Sequence, residues 1–437
     1  MRRRIVLALV LGLVPLAAFA WGFRAGKDRL FPYRHLTRTP AEADPQPAAA
    51  PAADSRATAV DRGRLTAHPY LGGYRPAPRK SGITVHRAAL AQPGLNLVVS
   101  GHAPEALLMD MSGKPLHRWR KSFEEVWSGP LGFAEDETHR TFWRRAYVFP
   151  NGDLLAIFEG IGILKLDRDS NLLWEHQGRC HHHIAIGPEG GIYTLARDLV
   201  DCPPLGVRTW TPGAQILDDS VLVLSPEGKP LRKVSITRAL LASDYASLLE
   251  NVHDELDILH TNTVFPLDDR FADRCPMFRA SHVLLSIRGV HAVAVLDLEA
   301  ERITWALSGL WTQQHQPTLL ASGNLLVLDN NGHHGRSKVV EIDPLTQEVV
   351  WSYRDGVHGS FHTPASGSAQ RLANGNTLIT ESDPGRAFEV TPAGEVVWEY
   401  VNPERAGDRR ERIATLFEVV RLDEETFRSL ASGDPGR

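Results

Sequence analysis

The sequence predicts an all-β chain, a six-bladed β-propeller carried behind an N-terminal transmembrane or signal segment and an Ala/Pro-rich linker. Three observations carry that expectation. First, one pattern occurs twice between Gly323 and Tyr400: SGNLLVLDNNGHHGRSKVVEIDPLTQEVVWSY, from Ser322 to Tyr353, and NGNTLITESDPGRAFEVTPAGEVVWEY, from Asn374 to Tyr400. Each copy holds a Gly turn, a short apolar run, a second turn, an alternating run, a third turn and a strand ending in Trp and Tyr. Period-2 runs bounded by Asn, Gly, Asp and Pro form β-hairpins. Second, the pattern recurs upstream. It is clear in NGDLLAIFEGIGILKLDRDSNLLWEHQ (151–177) and looser from Pro188 through Ser225–Gly228 to Val234. It returns from Ser281 to Trp305, and as half a copy, ALLMDMSGKPLHRW, ending at Trp119. Blade ends therefore fall at 119, 174, 234, 305, 351 and 398, which counts six. Third, a four-strand unit recurring every ~40–50 residues cannot bury both faces alone, so neighbours must pack radially. The run ATLFEVVRL (414–422) is expected to pair into the first blade and close the ring, removing the open sheet edge.

Taken in order, the 437 residues are 43% apolar and 23% charged, enough for one large β domain with extras. The net charge of −4 implies no polyanionic partner. The N-terminus, MRRRIVLALVLGLVPLAAFAWGFRAGK, places three arginines before a 19-residue apolar stretch from Ile5 to Phe23. Ala18-Phe19-Ala20 fits a signal-peptidase site. The same stretch is long enough to remain as an anchor, and its persistence past Ala20 favours the anchor. The preceding basic residues keep the N-terminus in the cytoplasm, so either reading exports the main domain. The expected localisation is the periplasmic side of a bacterial inner membrane, or the periplasm after cleavage. Residues 37–60 are rich in Ala and Pro and form a semi-extended tether. The expected boundaries are 1–24 for the anchor or signal, 25–65 for the linker and 66–437 for the propeller.

Cys180, Cys202 and Cys275 suit an oxidising compartment without disulfide dependence. Cys180–Cys202 is the simplest possible pair. No CxxC occurs, so a structural zinc site is not suggested. Two stretches interrupt the repeat. Residues 121–143 form an insertion between the first two blades. Residues 236–256 place Leu241, Tyr245, Leu248 and Leu249 on one helical face. Insertions of this kind either decorate a solvent face or build the binding face.

The histidines carry the chemistry. His182 lies eight residues before Gly190, His260 eight before Asp268 and His315 eight before Gly323. Each count starts from the turn after a blade's first strand, and that strand lines the channel of a propeller. One position in three consecutive blades thus presents an imidazole at one mouth of the channel. The matching position before Gly152 is Arg144, and before Gly375 it is Gly367, which leaves space. Asn262, two residues after His260, is expected on the same strand face. Arg288 ends the second strand of that blade, LLSIR, and returns to the same mouth. Asp257 is placed to orient an imidazole. His333 and His334 end another second strand, at the rim or in a solvated loop. A basic, amide-rich pocket with no evident carboxylate suits an oxyanion.

The motifs HHHIAIGPEGG (181–191), DILHTN (257–262), LLSIRG (284–289), QHQPTLLASGN (314–324) and RLANGNTLITES (371–382), with the Trp-ended blades, resemble the bacterial arylsulfotransferase family. The resemblance covers about residues 80–430, and the anchor-plus-linker form is similar to a divergent branch of that family. It implies a periplasmic six-bladed propeller that moves a sulfuryl group between phenols without a nucleotide donor. It further implies that His315 is the histidine that becomes sulfated and that His260 and Asn262 are the His-x-Asn pair. By the same likeness Arg288 binds sulfate and His182, flanked by His181, is the remaining active-site histidine. The family pattern there is closer to His-His-Asp, and His183 stands where the acid would be.

The chemistry stands independently. A neutral imidazole attacks sulfur, displaces a phenolate and passes the group to a second phenol in a ping-pong cycle. His and Arg donors stabilise charge on the bridging oxygen. No GxxxxGK[ST] loop cradles a nucleotide, and no cofactor or nucleic acid is called for. The expected partners are an aryl sulfate donor, a phenolic acceptor and, through the N-terminus, a membrane. Two rivals remain at this level. One is a hydrolase in which the three histidines hold Zn²⁺, against which Arg288 argues. The other is a propeller that only binds.

Overall fold

The computed structural model describes residues 75–129, 131, 137–201, 215–254, 256–354, 361–406, 409–422, 426 and 428–430. The segment Ile5–Phe23, the Ala/Pro-rich tether and Cys202 lie outside them. Among the described residues no helix is long and apolar enough to cross a membrane.

The fold is a six-bladed β-propeller. After β1 (Gly82–His86), the first blade holds β2 (Asn96–Ser100), β3 (Glu105–Met109) and β4 (Pro115–Arg120). A one-turn helix, α1 (Phe123–Val126), leads to the second blade. That blade comprises β5 (Arg145–Val148), β6 (Leu154–Phe158), β7 (Gly162–Leu166) and β8 (Leu172–His176). The third is β9 (Cys180–Ile186), β10 (Ile192–Asp201), β11 (Gln215–Leu224) and β12 (Pro230–Ser235). Helix α2 (Ile236–Leu241) precedes the fourth: β13 (Thr261–Pro266), β14 (His282–Ile287), β15 (Ala292–Asp297) and β16 (Arg302–Ser308). The fifth is β17 (His315–Leu319), β18 (Leu325–His333), β19 (Arg336–Ile342) and β20 (Val349–Tyr353). The sixth is β21 (Ser368–Arg371), β22 (Thr377–Glu381), β23 (Arg386–Val390) and β24 (Val396–Val401). A two-stranded ribbon, β25 (Arg405–Ala406) with β26 (Arg412–Ile413), then leads to β27 (Leu416–Arg421).

Closure is double. β27 pairs antiparallel with β2 and becomes the innermost strand of the first blade, as ATLFEVVRL is expected to do. In addition β1 pairs with β24 as a fifth, outermost strand of the sixth blade, which the half-copy at the start of the domain does not foretell. Among the described residues the first and last long strands are thus both tied into blades.

The blade-end tryptophans show why the repeat is written in Trp. Trp119, Trp174, Trp305, Trp351 and Trp398 all sit on fourth strands. Trp174 Nε1 donates to Pro226 O (3.0 Å), Trp351 Nε1 to Pro392 O (2.9 Å) and Trp398 Nε1 to Met111 O (3.0 Å). Each acceptor lies in the turn between third and fourth strands of the next blade. Trp119 donates instead to Gly152 O, in the first turn of its neighbour. An indole offers a large apolar body and one donor, which suits a joint that is dry except at its rim. The dry part is a series of clusters between blades, such as Leu97, Trp119, Trp143, Phe158 and Phe417.

The second insertion is not one continuous helix. α2 ends at Leu241 and a 3₁₀ segment, Ala246–Asn251, follows. Leu249 is buried, and Leu241, Tyr245 and Leu248 pack partly buried on the same core cluster. The apolar face is real. The chain breaks at Ser243, whose hydroxyl donates to Leu240 O and accepts from Tyr245 N–H, offering a local alternative to the helix ladder.

Candidate active site

The innermost strands begin irregularly at one mouth of the channel. The β9–β10 register slips between Thr194 and Leu195, β13–β14 between Thr261 and Thr263, and β17–β18 between His315 and Thr318. His182 (φ 60°), His260 (φ 44°) and Gln316 (φ 46°) carry the left-handed backbone that such bulges use. The bulges re-aim side chains into one cavity. His182, His260, His315, Arg144 and Arg288 all line it.

His315 opens β17. Its Nδ1 lies 2.7 Å from Asn330 Oδ1 and 3.1 Å from Gln313 O. Both partners accept, so Nδ1 carries the hydrogen and Nε2 keeps its lone pair. Asn330 cannot turn its amide round, because its Nδ2 donates to Thr363 O (2.6 Å) and Ser366 O (2.8 Å). Burial, then the Arg288 charge, hold the His315 pKa well below the ordinary value, against the opposing Asn330 bond. The ring is neutral at neutral pH.

His260 stands just before β13. Its Nδ1 meets Asp257 Oδ2 at 2.6 Å, so Asp257 orients this imidazole. Arg288 follows β14 and opens a single 3₁₀ turn, Arg288–Val290. The next residue must be glycine: a Cβ on Gly289 would collide with the carbonyls of Ile258 and Leu259. That close approach, sealed by Gly289 N–H donating to Leu259 O (2.7 Å), sets Arg288 beside His260.

His182 is held by a carboxylate that the sequence reading does not expect in the pocket. Glu159 Oε2 accepts the His182 backbone N–H (3.1 Å), and Glu159 Oε1 lies 3.2 Å from His182 Nδ1. Burial pushes the Glu159 pKa up, but His181, Arg197, Arg144 and His139 together outweigh it and hold the carboxyl below its usual value. Glu159 is therefore a buried anion. His182 itself is kept well below the ordinary histidine value, first by burial and then by Arg144. Its ring packs edge-on against His260, with centroids 5.2 Å apart.

Two expected site residues stand outside the cavity. His181 is buried, with Nδ1 2.9 Å from His182 Nδ1 and Nε2 3.4 Å from Asp219 Oδ1. It supports His182 from behind. Asn262 does not share the face of His260, because the turn at His260 and the bulge at Asn262 break the period-2 alternation. Its Nδ2 donates instead to Gln314 O (2.9 Å), tethering the residue before His315. His183 is buried one position beyond the cavity. His334 is exposed.

Glu159, Arg197, His139, Phe142, Ala365, Ser366 and Phe417 complete the wall. His139 and Phe142 come from the first insertion, which therefore serves the binding face. Arg144 Nη2 donates to Ser366 Oγ (3.1 Å), and its guanidinium lies 4.8 Å from the Phe417 ring centre. A simple signal finds what was missed. Glu159, Arg197, Arg288 and Asn330 each end the apolar run of a second strand: LLAIFE, IYTLAR, VLLSIR and LLVLDN. The logic that selects Arg288 selects all four.

The three histidines His182, His260 and His315 do not bring ligand atoms together as a metal site requires. Among the described residues the group that does is Glu159, His181 and His182, whose ligand atoms lie within 4.8 Å of one another. Arg144 and Arg197 crowd that group and disfavour a cation there.

The model of the family described as Arylsulfotransferase (ASST) matches residues 145–403, more than half of the chain, and the chain belongs to that family. No curated protein matches it. Solved structures similar to it share low sequence identity with it. A protein of unknown function from Bacteroides caccae is 13% identical, covering 75% of this chain and 98% of its own, with TM-score 0.48. The Cps50 (Swd1) β-propeller domain of Myceliophteria thermophila is 10% identical over 79% and 99%, with TM-score 0.44. A streptogramin B lyase is 12% identical over 76% and 85%, with TM-score 0.41.

Proposed function

We propose that the protein transfers a sulfuryl group from an aryl sulfate ester to a phenolic acceptor through a sulfohistidine on His315. Membership of the arylsulfotransferase family supports a sulfotransferase-like enzyme acting on small aryl substrates. The observation that carries the finer reading is the locked tautomer of His315, with Nδ1–H held by Asn330 Oδ1 and Gln313 O and Nε2 kept as a lone pair.

In the first half-reaction Nε2 attacks sulfur, the S–O bond to the aryl group breaks, and the aryl oxygen departs with the bonding electrons, leaving as the phenol once protonated. The Nε2–S adduct retains Nδ1–H, so the ring carries a positive charge that its two acceptors stabilise. His260, paired with Asp257, gives a proton to the departing oxygen, and Arg288 holds the sulfuryl oxygens. In the second half an acceptor phenol loses its proton to His260, its oxygen attacks sulfur, and the N–S electron pair returns to Nε2. Phe142 and Phe417 offer ring surface to an aryl group. The test is mass spectrometry of the enzyme exposed to an aryl sulfate without acceptor. A sulfuryl adduct is expected on His315. An adduct on His182 or His260, with His315 unmodified, overturns the assignment.

We further propose that the propeller acts on the periplasmic side of the inner membrane, held there by Ile5–Phe23. N-terminal sequencing of the mature protein decides this: a new terminus at Trp21 would mean a cleaved, freely exported enzyme.

A further inference from the structure

The cavity holds three guanidiniums, from Arg144, Arg197 and Arg288, yet one wall is a buried carboxylate. Glu159 faces Arg144, with Nε 4.0 Å from Oε2, and also holds the backbone and ring of His182. A carboxylate in an anion-binding cavity weakens binding of any anion, and it weakens it more for each further charge the ligand carries. We propose that Glu159 is the specificity-determining residue that makes the cavity favour a singly charged ester over a doubly charged one, that is, an aryl sulfate over an aryl phosphate. This rests on the sulfuryl-transfer reading above.

The argument is geometric and electrostatic. Glu159 shares the cavity wall with His315: its oxygen meets His182 Nδ1, and His182 packs against His260. No proton relieves it at neutral pH, because its cationic neighbours outweigh burial and keep it ionised. Arg144 and Arg197 offset its charge in the resting pocket, so removing the carboxylate leaves their charge to a ligand. His182 is neutral, and Arg144 and Arg197 share the one carboxylate between them. A sulfate monoester brings one negative charge, which Arg288 beside His315 can hold. A phosphate monoester at the same place brings a second, which feels Glu159. At several ångströms and an effective dielectric constant of tens, one extra charge pair amounts to about a tenfold change in affinity.

The experiment is calorimetric binding of benzenesulfonate and phenylphosphonate, two unreactive ligands that differ by one charge once the phosphonate is fully ionised. Wild type should bind the sulfonate more tightly. Glu159→Gln keeps the size and one acceptor oxygen, and should move the ratio about tenfold toward the phosphonate. Lowering the pH until the phosphonate is a monoanion should erase most of that gain. Should Glu159→Gln not fold, Arg197→Met makes the complementary test: loss of a cation should weaken the phosphonate about tenfold more than the sulfonate. A ratio unchanged by the substitution tested overturns the role of Glu159 alone. Failure of wild type to bind either ligand overturns the sulfuryl-transfer reading beneath it.

Discussion

Two rows of residues run across the inner strands, one residue apart. Arg144, His182, His315 and Phe417 line the cavity. Arg145, His183, Gln316 and Glu418, their immediate successors, do not. The second row closes on itself: Arg145 Nη1 meets Glu418 Oε1 (2.5 Å), Arg145 Nη2 meets His183 Nε2 (3.0 Å), and Gln316 Nε2 donates to Glu418 Oε1 (3.0 Å). These bonds join the first, second, third and fifth blades across the channel axis. Both rows are buried or nearly so. What separates them is where their polar groups find partners. In the second row the partners are one another. In the first, fixed supports such as Asn330 and Glu159 take one side of each imidazole, and the rings line the cavity. Polarity in a channel therefore marks a site only where its hydrogen bonds are incomplete within the protein.

Substituting each row in turn should separate the two roles by the largest margin. His315→Asn should reduce sulfuryl transfer by about 10³-fold or more, as loss of a nucleophile does, with little change in the denaturant midpoint. Arg145→Met should do the reverse, costing about 3–5 kcal/mol of stability by stranding the buried Glu418 charge. Chemical denaturation and aryl sulfate turnover on both variants check this. A His315→Asn protein that unfolds as readily as Arg145→Met would dissolve the distinction.

Elsewhere in the cavity the next effect is smaller. Arg288→Ala and His260→Asn should each lower transfer about 10²-fold, as removal of a donor to developing charge does. Equal losses in donor binding alone, with the rate at saturation intact, would recast both as ground-state binders.

The fold was largely legible because its repeat is written in turns and tryptophans, and those are the groups that join blades. The row of histidines was legible for the same reason: a repeat gives each position an address. The closing strand Leu416–Arg421 was legible as a leftover run. The pairing of Gly82–His86 with the sixth blade was not, since five residues without a turn partner carry no address. Asn262 was misplaced because period-2 reasoning assumes unbroken strands, and bulges occur at the mouth where function needs side chains re-aimed. Glu159 escapes a pocket built from first strands and one second strand, because it ends the second-strand apolar run of another blade. His182 and His183 are identical letters on one strand, and only the partners around them assign one to the cavity and one to the ring.

Supports behind the first row should matter less than the row itself. Asn330→Ala removes the acceptor that fixes Nδ1–H of His315 and should cost about tenfold or more in rate, with the Michaelis constant for donor nearly unchanged. Asn262→Ala loosens only the carbonyl of Gln314 and should cost less. The reverse order would mean that strand placement, not tautomer, limits the nucleophile.

The smallest expected difference is one that should fail to distinguish the rows. His182, His183 and His315 are all held well below the ordinary value of 6.5, first of all by burial. Below that pH the unfolded chain takes up protons at these positions and the folded protein does not. Stability must therefore fall as pH drops from about 7 toward 5, by at most about 1.4 kcal/mol per pH unit for each group. Glu418 works against this trend, since burial raises its pKa and the folded state keeps its proton longer than the unfolded chain. Removing a histidine from either row, by His183→Gln or His315→Asn, should flatten the acid slope by a similar amount. Denaturant titrations of both variants at pH 7 and pH 5 measure it. Burial alone sets this response, so it is blind to function. A slope that changes for His315 and not for His183 would show that the second row already takes up its proton in the folded state, and that Arg145–Glu418 is not the closed network the geometry describes.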